Sequence, residues 1–178
     1  MTRLPHFLVG LAIALAGCRS TTDKLGLPPL QTVGQVELER YLGTWYEIAS
    51  FPQSFQKGCQ ATTATYALKD TGGISVVNTC HLDAIDEPLK VANGRAQVVD
   101  TTTNAKLRVS FFGPFWGDYW IIDLRQDYEY AVVGHPGRDY LWILSRTPHM
   151  DEGVYEAILK RLVAMDYQVD RLVRTPQP

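Results

Sequence analysis

The chain has 178 residues, a formal charge of −2 and 46% apolar residues, with nine Tyr and four Trp. That is enough for one domain with its own core, and the absence of any basic cluster or stripe excludes nucleic acid as an expected partner. Arg3 gives a basic start, and Phe7 to Ala16 forms an apolar run of about ten residues. Such a run is too short to span a bilayer, which takes ~20 residues, and it has the length and charge of a secretory signal.

The next residues, Leu15-Ala16-Gly17-Cys18, resemble the bacterial lipobox, where a peptidase cuts before the cysteine and the thiol carries diacylglycerol. The resemblance implies a signal peptide over 1–17, lipidation of Cys18, a lipidated N-terminus and tether over 18–34, and a domain over 35–178. Removing 17 of 178 residues leaves 161 and takes away Arg3 as the one charged residue lost. Several acyl chains, at ~0.8 kcal/mol per buried methylene, hold a protein firmly to a membrane. The polar stretch Arg19 to Gln35 carries Pro28-Pro29 and reads as a tether that reaches ~50 Å when extended. Arg19 rather than Asp after the cysteine favours the outer membrane of a Gram-negative cell, with the protein facing the periplasm. With Cys18 spent on lipid, Cys59 and Cys80 form an even pair in an oxidising compartment. A disulfide is expected; two free thiols, one nucleophilic, are the alternative.

Gln35 to Leu42 predicts one or two helical turns. Short β-branched and aromatic runs, broken by Gly, Pro, Asn and Asp, then predict strands near 44–50, 60–68, 74–80, 89–99, 105–112, 118–124, 129–134 and 140–146. Eight strands at this spacing point to an antiparallel sandwich or up-and-down barrel rather than alternating strands and helices. Asp151 is a plausible N-cap, and Val154, Ile158, Leu162 and Met165 recur at helical spacing as one apolar stripe. That helix must lay its stripe on the outside of the sheet. A last short strand is expected near 168–173.

In a meander that strictly alternates direction, Trp45, the Asp127-Tyr128 turn and Arg146 fall at the same end. A guanidinium over an indole face gains roughly 0.5–2 kcal/mol by cation–π attraction, and its remaining donors can cap nearby carbonyls.

Gly43-Thr44-Trp45-Tyr46, preceded by Tyr41-Leu42, resembles the G-x-W motif of the lipocalin family. Gln126-Asp127-Tyr128 stands where lipocalins usually carry T-D-Y, and Arg146 within Leu144-Ser145-Arg146-Thr147-Pro148 resembles the third motif. Tyr140 to Arg146 and Phe111 to Trp120 are similar to the bacterial outer-membrane lipocalins, which are apolipoprotein D-like. The resemblance runs over about residues 35–175. It implies an eight-stranded antiparallel up-and-down barrel with one C-terminal helix packed outside, whose cup binds a hydrophobic ligand. Gln126 for Thr removes one hydroxyl at the closed end.

Physical reasoning agrees more loosely, since an eight-stranded barrel is filled by side chains or holds one small ligand. Alternation puts Leu107, Val109 and Phe111 on one face, expected to point inward. If Arg146 covers Trp45 from within, Trp142 lies inside the cup and Tyr140 nearer its mouth. Along 118–124, the faces Tyr119/Ile121/Asp123 and Trp120/Ile122/Leu124 are both admissible; Tyr119 is carried as the candidate. Phe51, Phe55, Phe115 and Trp116 are unusually apolar for loops. They form either a lip that admits an acyl chain or a set that packs on itself or plugs the barrel.

The candidate ligand residues are therefore Phe55, Leu107, Val109, Phe111, Tyr119, Tyr140 and Trp142. Gly43, Trp45, Asp127, Tyr128 and Arg146 are the structural set. His81, His135 and His149 lack zinc spacing, no nucleophile elbow or phosphate loop is present, and neither metal nor cofactor is expected. The expected protein is a non-enzymatic carrier of fatty acids or lysophospholipids, for envelope lipid storage, transport or repair, and a monomer or weak homodimer. The alternatives are a lipocalin-fold enzyme acting on a lipid and an envelope interaction module with a filled barrel.

Overall fold

The computed structural model describes residues 26–70 and 72–178. Cys18 and the segment expected to be a signal peptide lie outside them. One helical turn, α1 (Leu38–Tyr41), leads into β1 (Gly43–Ser50). The following strands are β2 (Cys59–Leu68), β3 (Ile74–Leu82), β4 (Leu89–Val98), β5 (Lys106–Ser110), β6 (Gly117–Leu124), β7 (Tyr130–Gly134) and β8 (Leu141–Ser145). Each pairs antiparallel with its predecessor, and β8 returns to β1, so the sheet closes as an eight-stranded barrel. Helix α2 (Glu152–Ala164) follows, started as the sequence predicts by Asp151, whose carboxylate accepts from the Val154 N–H at 3.0 Å. A capping carboxylate of this kind contributes about 1 kcal/mol.

The chain end departs from expectation. Residues 169–171 form a single 3-10 turn, and the last strand, β9 (Val173–Arg174), falls later and is only two residues long. The cause lies in β1, which pairs with β2 only from Gly43 to Tyr46 and then leaves it. Towards the mouth β1 offers its free edge to β9 through Ala49 and Ser50. The final residues fill the gap that remains. Thr175 donates its N–H to the Ile48 carbonyl, Ala61 donates to the Pro176 carbonyl, and the Gln177 amide reaches the carbonyls of Glu47 and Thr62.

Two apolar clusters divide the molecule. Trp45, Tyr66, Val76, Leu107, Tyr119, Ile121, Val133 and Leu144 belong to the cluster inside the barrel. Ile48, Ile122, Val132, Leu141 and Ile143 face outward and bury Tyr155, Ile158 and Leu162 of α2. Each such large apolar side chain contributes about 1.5–3 kcal/mol on burial.

The inward face of β6, open from sequence, is Tyr119 and Ile121. A bulge leaves Ile122 without a partner on β7, because Ile121 pairs Val133 and Asp123 pairs Val132. Ile122 and Asp123 therefore both look outward, and Asp123 accepts from the Arg161 guanidinium of α2 at 2.7 Å.

The segment read as tether is partly docked. The Pro28 carbonyl accepts from Arg138, Leu30 is buried in the outer cluster, Val33 donates to the Ile121 carbonyl and Val36 to the Thr103 carbonyl.

Candidate ligand cup

The closed end is assembled from the residues that alternation brings together. Trp45 is fully buried, and its indole N–H donates to the Tyr41 carbonyl at 2.8 Å. The Arg146 guanidinium lies over the ring, 3.7 Å from its centroid, and donates to the carbonyls of Thr44 at 2.9 Å and Arg40 at 2.6 Å. Gly43 enters β1 at φ +90°, a conformation glycine adopts without strain. Tyr128 is also buried there. Its hydroxyl accepts from the Glu37 N–H, and Arg40 covers its ring at 4.1 Å. Asp127 stays at the surface of the turn, accepting from the Glu129 N–H and pairing with Arg125 at 2.9 Å.

Above this plug lies a floor of three phenols. Tyr119 shares hydrogen bonds with Tyr41 at 2.7 Å and Tyr66 at 3.0 Å, all three buried. Burial pushes the Tyr66 hydroxyl up to about 12, and holds those of Tyr41 and Tyr119 well above the ordinary range. An ionised phenol there would lack water. The floor therefore stays neutral, and its tyrosines occupy the lower half of the lumen.

The candidate wall residues sort clearly. Leu107 and Tyr119 are buried in the inner cluster, with Val109, Phe111 and Trp142 packed against it from the upper half. Phe111 lies just past the end of β5, and its ring would meet any side chain added at Gly94, at 2.8 Å. Tyr140 joins through Trp142, the two rings stacked at 5.9 Å and 12°. Phe55 does not join them; it sits on the single 3-10 turn Ser54–Gln56 of the β1–β2 loop and is 56% exposed.

A polar group that sequence reading missed stands beside Trp142. Gln56 accepts from the Trp142 indole N–H at 3.0 Å and donates to Glu47 at 2.8 Å. The other oxygen of the buried Glu47 carboxylate accepts from Ser50 at 2.9 Å and from Thr175 at 2.6 Å. Glu47 shares the inward parity of Trp45, and the bulge between Glu47 and Ala49 turns Ser50 to the same side. Three donors satisfy its oxygens, the condition under which a buried polar group is tolerated.

At the rim, Cys59 and Cys80 form the expected disulfide, with Cα atoms 5.3 Å apart, bracing the start of β2 to β3. Among the described residues, no three His, Cys, Asp or Glu side chains gather in a way that would hold a metal ion.

Residues 36–177 match the model of the lipocalin-like domain. The chain is 39% identical over 170 residues to the outer membrane lipoprotein Blc of Citrobacter freundii, a match covering 96% of this chain and 94% of that protein. It is 33% identical over 182 residues to bovine apolipoprotein D, covering 96% and 91%. The insecticyanin structure from the tobacco hornworm Manduca sexta superposes with a TM-score of 0.67 at 20% identity, over 85% of this chain and 86% of that one, a likeness of fold. With the barrel, the sealed end and these matches agreeing, the chain belongs to the lipocalin family.

Proposed function

We propose that this protein is a lipid-anchored outer-membrane lipocalin that binds fatty acids or lysophospholipids, for storage, transport or repair of envelope lipid. The supporting observation is the inward wall formed by Leu107, Val109, Phe111 and Trp142 above the tyrosine floor. An acyl chain laid along that wall leaves water at roughly 25 cal/mol per Å² of apolar surface. Tyr140, stacked on Trp142, and Phe55 at the lip complete the proposed site, with Tyr119 as its base. The relatives named outer membrane lipoprotein support anchoring through Cys18. Binding is reversible partition, without a chemical step.

A filled barrel is the second reading, favoured by the three phenols in the lumen and by Gln56 reaching in from the loop. Native mass spectrometry of protein purified from its own host separates the two. Co-purifying lipid, or saturable uptake of a fluorescent fatty acid by delipidated protein, is expected. Neither lipid nor uptake would leave the filled barrel as the answer.

A further inference from the structure

The N-terminal segment has a direction. Val36 is tied to Thr103 in the β4–β5 turn at the closed end, Val33 to Ile121 part-way up, and Pro28 to Arg138 in the β7–β8 turn at the mouth. Leu30, between them, is buried against the helix side of the barrel. Followed towards its start, the chain thus leaves the domain at the rim. Ten residues separate Cys18 from Pro28. Fully extended they span at most about 35 Å, close to the ~33 Å of a ten-residue strand. An anchor at Cys18 therefore brings the closed end to the membrane only if the tether runs taut back along the whole barrel. The mouth lies within easy reach.

The rim carries chemistry that suits a bilayer. In the β5–β6 loop, Phe112 is 77% and Phe115 is 76% exposed. Two large rings open to water on one loop mark a contact surface rather than a folding element. Behind them the guanidiniums of Arg95 and Arg108 lie 4.9 and 4.7 Å from the ring centre of Trp116. A groove of about 330 Å³ beside this cluster is lined by Lys69, Arg95, Ser110 and Phe111 among others. Apolar rings in front and cations behind match the order of layers at a phospholipid surface, acyl chains beneath phosphates. Acidic groups border this patch, because the neighbouring β3–β4 loop carries Asp83, Asp86 and Glu87, and Asp118 stands in register with Arg108 across β5 and β6.

We infer that the barrel docks mouth-first on the phospholipid bilayer, with Phe112 and Phe115 entering the headgroup layer and Arg95 and Arg108 meeting lipid phosphates. This rests on the anchored lipid-carrier reading, and it gives a carried acyl chain a short dry path between membrane and cup.

The test uses the full mature chain with Cys18→Ser, so docking is measured without the anchor. Flotation with vesicles of phosphatidylethanolamine and phosphatidylglycerol is compared with vesicles of phosphatidylcholine alone. Binding to the anionic vesicles is expected, weakening with salt. Phe112→Ser with Phe115→Ser should reduce it about tenfold or more, and Arg95→Gln with Arg108→Gln about tenfold. Melting temperature should stay unchanged in both variants, and so should fluorescent fatty-acid affinity in the arginine variant. Absence of vesicle binding, or equal binding by the variants, overturns the inference. So does a dimer in sedimentation that the phenylalanine variants dissolve while vesicle binding persists, since a second copy would then own the surface. Loss of the carrier reading would show separately, as absent fatty-acid uptake or an unlipidated Cys18 in protein from the host.

Discussion

Arg146 and Trp45 close the barrel as a stacked pair, guanidinium against indole at 3.7 Å, with the guanidinium also tied to the Thr44 and Arg40 carbonyls. Arg146→Met keeps the stem and removes the charge and its hydrogen bonds. It should cost about 2 kcal/mol, read as a lower Tm. Trp45→Ala, a large-to-small change in a fully buried site, should cost about 3–5 kcal/mol. Because both residues sit beneath the tyrosine floor, lipid affinity in the fraction that remains folded should hold. Lost affinity with unchanged melting would contradict a structural role.

Trp142→Ala should weaken fatty-acid binding by about tenfold, equivalent to ~1.4 kcal/mol. Fluorescence titration measures it. Trp142→Phe keeps the apolar wall while releasing Gln56, so it should retain most of the affinity. An unchanged dissociation constant in the alanine variant would place the ligand elsewhere.

Glu47 ties three segments: the β1–β2 loop through Gln56, β1 through Ser50 and the chain end through Thr175. Glu47→Ala strands these donors and should cost about 3 kcal/mol. Glu47→Gln keeps acceptor capacity and should cost less. Hydrogen exchange should report the effect first at the amides of Thr175 and Ala61, which hold the tail between β1 and β2. A variant that loosens the protein evenly would refute the tie.

The tyrosine floor sets an alkaline limit. Below the ordinary phenol value of 10.0, folded and unfolded chains both keep the Tyr66 proton. Above it the unfolded chain releases that proton first and binds fewer protons. Stability therefore falls as pH climbs from the unfolded value through about 12 for Tyr66, with Tyr41 and Tyr119 acting the same way. Denaturant melts between neutral and strongly alkaline pH should show the decline, with tyrosinate absorbance rising alongside unfolding. Tyr66→Phe should blunt it.

What the residues disclosed unaided, and what they hid, follows from which signals are local. Strand parity carried Trp142, Leu144 and Arg146 to the inner side because β8 is regular, and direction alternation brought Arg146 to Trp45. Parity could not choose a face for β6, since the bulge at Ile122 puts two successive residues on one side and leaves no mark in composition. Glu47 shares the parity of Trp45, but a carboxylate alone gives no sign that it will be buried, because its partners Gln56 and Thr175 come from a loop and from far along the chain. In residues 28–36, Leu30, Val33 and Val36 recur every third residue, but Pro28-Pro29 and Gly34 rule out a helix and the stretch reads as a tether, so the docking of Leu30 and the meeting of Pro28 with Arg138 stayed hidden. Where tertiary partners decide, periodicity is silent.

Residues 175–177 stand between β1 and β2 like one more stave in a cask. Were Thr175 and Gln177 removed, the wall would split along its upper seam, with backbone groups of Ile48 and Ala61 facing solvent. A clipped chain would thus keep its eight strands and lose its watertightness.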